Sequence, residues 1–103
     1  YLFSISQEGY FIVTEKTSGN IIRVNDVFKN FSIKQRKNIK PTGFVVSKDK
    51  IFISTSDGKL LTVDINTGKT VSTLKISNNK ISRPFVKNEN LFLIKDNAII
   101  KLN

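Results

Sequence analysis

The chemistry open to this chain rests on eight carboxylates, a scatter of hydroxyls and 17 basic side chains, because it has no histidine and no cysteine. Histidine is the commonest general base and metal ligand, and the thiolate is a nucleophile and a soft metal ligand. Disulfides and thiolate sites are therefore excluded; methionine and tryptophan are absent as well. Asp49, Asp57, Asp64, Glu89 and Asp96 can be read as carboxylate pairs or calcium ligands. Their surroundings favour turn chemistry. Asp57 and Asp96 precede turn residues, Asp49 and Glu89 lie in polar connections, and Asp64 is placed to cap the turn Asn66-Thr67-Gly68. Nothing matches an EF-hand loop or a nonapeptide calcium repeat. Ser54, Thr55 and Ser56 have no histidine to activate them, so a Ser-His-Asp arrangement is impossible within the chain. No signature supports a Ser-Lys pair. Gly9, Gly19, Gly58 and Gly68 stand singly, which suits turns and not a phosphate-cradling loop.

The remaining chemistry is charge. Lys34, Arg36, Lys37 and Lys40 form the densest basic run, with Lys29, Phe28 and Phe31 just before it. Basic residues interleaved with aromatics can bind single-stranded nucleic acid by charge and stacking. The same run can meet phospholipid headgroups or an acidic partner at a rim. The competing account is a solvated face with the rings turned inward. The net charge of +9 fits either account, but 14 of the 17 basic residues are lysine, and an AT-rich genome inflates lysine, isoleucine and asparagine together. The solvated face is the expectation, and nucleic acid is not the expected partner.

What positions these residues is a repeat. Glu8-Gly9 recurs as Asp57-Gly58 and Ser18-Gly19 as Thr67-Gly68, both 49 residues apart (58 − 9 and 68 − 19). Phe3 and Phe52, Phe11 and Leu60, and Glu15 and Asp64 share that offset. A second echo lies 40 residues on: Ile51-Phe52-Ile53 becomes Leu91-Phe92-Leu93, Asp57-Gly58 becomes Asn97-Ala98, and Leu60-Leu61 becomes Ile100-Lys101. Periods of this size built from short strands point to propeller blades or a similar array.

The middle copy predicts four antiparallel strands: Phe44–Val46, Ile51–Thr55, Leu60–Ile65 and Thr70–Ile76. Asp57-Gly58 predicts a two-residue type I′ hairpin, flanked by Ser56 and Lys59, with positive φ at both centres. The runs Ile51–Ile53 and Leu60-Leu61 do not alternate, as in strands covered on both faces. The fourth strand is more polar, as an outer one should be. The first copy supplies strands from Leu2–Ser6, Tyr10–Thr14 and Asn20–Asn25. The last supplies Phe85-Val86, Leu91–Ile94 and Ala98–Leu102, with no fourth strand. Between the first two copies, Val27, Phe28, Phe31 and Ile33 fit either a short helix capped by Asn25 or Asp26, or an outer strand. The strand is the expectation, because the repeat calls for one.

The segment Asp57 to Lys69 resembles the repeat of the quinoprotein (PQQ-like) β-propellers: a D-G-x-L hairpin, then alanine-x-aspartate-x-x-threonine-glycine-lysine and a tryptophan. Asp64, Thr67, Gly68 and Lys69 match, while Thr62 stands at the alanine and Ser72 at the tryptophan. Glu15, Ser18 and Gly19 match more loosely, with Arg23 at the tryptophan. Arg83-Pro84-Phe85-Val86 is similar to the innermost strand that opens such repeats, and Pro41–Val46 to its counterpart. The resemblance implies one of two branches. Quinone-dependent dehydrogenases hold a cofactor and calcium in a central funnel and carry blade-docking tryptophans. The propeller lipoprotein of the outer-membrane β-barrel assembly machinery has no cofactor, and the missing tryptophans lean toward it.

The expectation is thus an all-β fold of about two antiparallel four-stranded propeller blades: a partial blade and connection over 1–43, a complete blade over 44–83, and three strands over 84–103. The chain opens at Tyr1-Leu2-Phe3 without an initiator methionine and reads as part of something longer. No stretch approaches the roughly 18 apolar residues of a membrane span, so a membrane is met only through a tether. The resemblance implies a non-enzymatic, cofactor-free protein-binding scaffold that is periplasmic or outer-membrane associated. The alternatives are part of a quinoprotein dehydrogenase and a polyanion-binding module. Lys34, Arg36, Lys37 and Lys40 are the candidate partner-binding residues, and Asp57, Gly58, Asp64, Thr67 and Gly68 the structural turns. Open sheet edges and blade faces predict that the chain self-associates.

Overall fold

Three antiparallel sheets stand face to face in a computed structural model that describes residues 1–102. The first sheet holds β1 (Leu2–Ile5), β2 (Tyr10–Thr14) and β3 (Ile21–Asp26) in chain order. A short helix α1 (Ile33–Asn38) leads to the second, a four-stranded meander of β4 (Pro41–Ser47), β5 (Lys50–Thr55), β6 (Lys59–Asp64) and β7 (Thr70–Lys75). The third holds β8 (Phe85–Lys87), β9 (Asn90–Lys95) and β10 (Ala98–Lys101). The fold is all-β apart from α1.

The 49-residue period governs the backbone itself. The Val27 N–H bonds the Gly9 carbonyl at 2.9 Å, and the Ile76 N–H bonds the Gly58 carbonyl at 2.8 Å. The Gly19 N–H reaches the Glu15 carbonyl at 2.9 Å, as that of Gly68 reaches Asp64 at 2.8 Å. Even the irregularities repeat: the register shifts at Val13/Thr14 in one sheet and at Thr62/Val63 in the next. Strands β1–β3 therefore correspond to β5–β7, and β3 is the outer strand of its sheet. Strands β8–β10 correspond to β4–β6, since Phe85↔Phe92 and Val86↔Leu91 repeat Val45↔Phe52 and Val46↔Ile51.

That correspondence corrects the reading of residues 26–42. Their outer strand already exists as β3, so the connection is free to form α1. Ser32 caps the helix rather than Asn25 or Asp26: its Oγ accepts from the Gln35 N–H at 3.1 Å, and Gln35 Oε1 accepts from the Ser32 N–H at 2.9 Å. Strand β4 also starts at Pro41, three residues before the expected boundary.

The hairpins carry two further corrections. The loop between β5 and β6 has three residues, Ser56 to Gly58, and Gly58 alone has positive φ (84°). Its N–H closes on the Thr55 carbonyl at 3.2 Å, so Thr55 and Lys59, not Ser56 and Lys59, flank the reversal. This is a type I turn with a left-handed glycine after it. The two-residue turn with positive φ at both centres occurs elsewhere, at Asp96 (50°) and Asn97 (64°), and at Asn88 (51°) and Glu89 (64°). The β9–β10 turn is thus one residue shorter than its predecessor. Beyond it the echo runs at offset 39, so Leu61 corresponds to Ile100, because Ile53 pairs with Leu61 and Leu93 with Ile100.

Apolar side chains meet between the sheets. Phe11 and Val13 of the first sheet pack with Ile51, Ile53, Leu61 and Val63 of the second, and Phe44 meets Phe11 edge-on with ring centroids 5.5 Å apart. Strands β5 and β6 are covered on both faces, which explains their unbroken apolar runs, whereas β7 is almost wholly exposed. Strand β4 lies against both β1 and β8, so these strands line the inner edge of the stack.

A Cβ on Gly58 would fall 2.1 Å from the Ser77 carbonyl oxygen, in addition to its left-handed φ. Gly19 has a similar φ (75°) but open space around it. Urea unfolding is expected to show a loss of about 3 kcal/mol for Gly58→Ala against about 1 kcal/mol for Gly19→Ala. Equal losses would mean that the Ser77 carbonyl moves aside freely.

Candidate functional site

The basic run lies on and after α1, on a rim that begins where β3 ends. The Asp26 carboxylate accepts from the Phe28 N–H at 3.1 Å, and Phe28 is buried with its ring where a Cβ on Gly9 would have to go. Phe31 tilts against Phe28 at 5.5 Å, and the Lys59 ammonium sits 4.8 Å from the centre of the Phe31 ring. The aromatics beside the basic run are therefore occupied by packing and a cation rather than presented for stacking. Arg36 bridges to Asp26 at 2.8 Å, and Lys40 Nζ reaches Gln7 Oε1 at 3.2 Å. The hydrogen bond that the Arg36 guanidinium donates to Asp26 leads the causes that hold it more firmly protonated than usual, against partial desolvation. Lys34 and Lys37 are exposed. A surface groove of about 490 Å³ runs between Gln7, Glu8, Ile33, Arg36, Lys37 and Lys40. The four candidate residues thus share one rim: two have side-chain partners and two face solvent.

The candidate turn residues form tight hydrogen-bond sets. Asp64 Oδ1 accepts from the Asn66 N–H at 2.8 Å and the Thr67 N–H at 3.1 Å, and Thr67 Oγ1 accepts from the Lys69 N–H at 3.2 Å. The two backbone donors hold the Asp64 carboxyl below its usual range, aided by Lys50 at 3.5 Å. At Asp57 burial pushes the carboxyl up, but the Thr55 hydroxyl at 2.6 Å and the Lys59 ammonium at 2.9 Å outweigh it, and the net shift is downward. Lys50 is pushed down by partial desolvation, but Asp49 at 3.4 Å and Asp64 outweigh that and raise it. Asp96 and Glu89 occupy turn centres on other connections. No group of three or more Asp or Glu among the described residues could hold a metal ion. No helix among them is long and apolar enough to cross a membrane.

One residue with a structural task was not singled out as a site. The Arg23 guanidinium crosses from β3 to the second sheet and donates to the carbonyls of Ile65 and of Asn66, the latter at 3.0 Å. Asn25, two residues on, packs over Gly68. The Arg23 guanidinium thus docks the first sheet on the connection that follows β6.

Comparison with known proteins shows the fold. The chain matches the Cps50 (Swd1) β-propeller domain of Myceliophteria thermophila with a TM-score of 0.74 and 16% identity, covering 91% of this chain and 31% of that one. It matches the computationally designed Ika4 protein at 0.69 and 17%, covering 97% and 57%. A second computationally designed protein, Ika8, gives 0.67 and 18%, covering 96% and 28%. No protein-family model matches, and no curated protein does. The chain has a β-propeller-like fold and spans between 28% and 57% of the length of these three structures.

Two outcomes are expected. Because the folded carboxyls of Asp57 and Asp64 titrate below their unfolded values, their stabilisation is complete above the unfolded pKa near 4 and lost as pH falls through the lower folded values. Denaturation midpoints should therefore drop steeply below about pH 4, and Asp64→Ala should lower the midpoint at pH 7 while narrowing its fall in acid; a variant with the wild-type profile would contradict this. Arg23→Met should cost about 2 kcal/mol, since it strips charged donors from two carbonyls. Hydrogen exchange should then rise first in β1–β3; uniform acceleration would show that Arg23 does not dock the sheets.

Proposed function

We propose that this chain is part of a non-enzymatic protein-binding scaffold of the PQQ-like propeller type, similar to the propeller lipoprotein of outer-membrane β-barrel assembly and residing in the periplasm or at the outer membrane. The observation that carries this reading is the fate of Asp57 and Asp64. Their oxygens are taken up by turn N–H groups, the Thr55 hydroxyl and lysines, which supports an architectural role for the carboxylates of the repeat. The D-x-x-T-G-K pattern then builds turns, and what the blades present outward is rim and outer strand. Lys34 and Lys37 supply a positive rim for an acidic protein surface, which speeds encounter more than it raises affinity. The exposed strands β3 and β7 offer backbone edges for an extended segment.

Calorimetry separates this scaffold from the enzyme. Titration with calcium and with the quinone cofactor should give dilution heat only. Saturable micromolar binding of either would put the dehydrogenase reading first. A polyanion module is tested by changing Lys34, Arg36, Lys37 and Lys40 together to Gln. Weak single-stranded DNA binding that collapses with salt and declines in proportion to the charge removed fits a solvated rim. A tight, salt-resistant complex abolished by the four changes would instead establish a nucleic-acid site.

A further inference from the structure

We infer that the two outermost blade faces of this chain are the two halves of one interface, and that a second copy of the chain joins head to tail, the third sheet of one on the first sheet of the other. This does not rest on the scaffold reading. It follows from what equivalent residues do in successive sheets.

Each sheet has two kinds of face. One kind carries Leu2, Ser4 and Ile12 in the first sheet, Ile51, Ile53 and Leu61 in the second, and Leu91, Leu93 and Ile100 in the third. The other carries Phe3, Ile5 and Phe11, then Phe52, Ser54 and Leu60, then Phe92, Ile94 and Ile99. Inside the chain a face of the second kind always meets a face of the first kind on the following sheet. Phe11 lies in one cluster with Ile51, Ile53 and Leu61, and Phe52 and Leu60 line a cleft with Leu91 and Val86.

Burial follows this rule. Ile51 and Leu91 are 1% and 6% exposed, but their equivalent Leu2 is 53% exposed. Phe11 and Leu60 are 1% and 4% exposed, but their equivalent Ile99 is 69% exposed. The uncovered face of the first sheet continues through Tyr10 and Val24, while Phe85 and Phe92 already stack at 5.6 Å on the uncovered face of the third. The two open faces are therefore of opposite kinds and repeat the pairing that the chain makes twice internally. Such a contact is heterologous, so it closes into a ring or runs on as a filament instead of stopping at a symmetric dimer. The +9 charge opposes it, so added salt should strengthen it.

Mixing tests the pairing. Val24→Lys blocks the first face and Ile99→Lys the second; both positions are solvent-exposed, and far-UV circular dichroism with thermal melts confirms folding. Should either fail to fold, Leu2→Ser and Ile94→Ser take their places. In sedimentation over a concentration series, the wild-type chain should form assemblies larger than a monomer that grow with salt. Each single-face variant should be monomeric, and an equimolar mixture should form a dimer and nothing larger, because one good face of each kind remains. Dimers of either variant alone would overturn the head-to-tail pairing in favour of like-on-like stacking. A wild-type chain that stays monomeric at high concentration and high salt would overturn the proposal altogether and leave the faces to another blade or another protein.

Discussion

Apolar contact between facing sheets is the constraint from which the rest of this structure follows. A sheet covered on both sides has no solvent face to spare, so both alternating sets of side chains must be apolar in its central strands. That is why Ile51–Ile53 and Leu60-Leu61 run without a polar break and why Ile53, Leu61 and Val63 are buried completely. It also explains the gradient across each sheet. Polar and charged residues are displaced to the outer strand, the turns and the connections, and the carboxylates are consequently found there.

Turns in this setting must be rigid, because they fix the register on which both faces depend; a one-residue slip would exchange the faces. Two solutions coexist. The Ser6–Gly9 and Thr55–Gly58 turns use a glycine whose carbonyl receives the chain leaving the outer strand, tying the hairpin tip to the next connection. The turns at Asn88-Glu89 and Asp96-Asn97 dispense with glycine and accept left-handed non-glycine residues. Asn and Asp bear that conformation well, Glu less so, which makes Glu89 the most strained of the four.

Much of the fold was legible because the repeat is written in residue types that have physical reasons: Asp-Gly and Thr-Gly at turns, β-branched and aromatic residues between them. The propeller-like architecture and every strand of the three sheets were readable in that way. The turn type at Asp57-Gly58 was not, because Thr55, which selects the longer loop through its hydroxyl, looks like any other strand residue. The repeat itself hides the helix: β3 already completes the outer edge of the first sheet, so the period calls for no strand after it, and Ser32 with Gln35 is the legible capping signal. At the rim, the run Lys34 to Lys40 was visible as charge, but the pairing of Arg36 with Asp26 and the docking by Arg23 span distances in sequence that no local pattern encodes.

The difference between the two offsets, 49 and 40, has one location. Strand β3 ends 15 residues before β4 begins, whereas β7 ends six residues before Ile81, the equivalent of that start. The nine surplus residues all fall in the connection that carries α1. Its ends are clamped, by the Val27 N–H on the Gly9 carbonyl and by a reciprocal pair in which the Ser56 N–H donates to the Lys40 carbonyl and the Lys40 N–H donates to the Ser56 Oγ. Length can therefore be gained or lost between the clamps without shifting any strand. This connection is where lineages of such a chain can diversify by insertion, and where a foreign peptide can be spliced in and displayed on an unaltered frame.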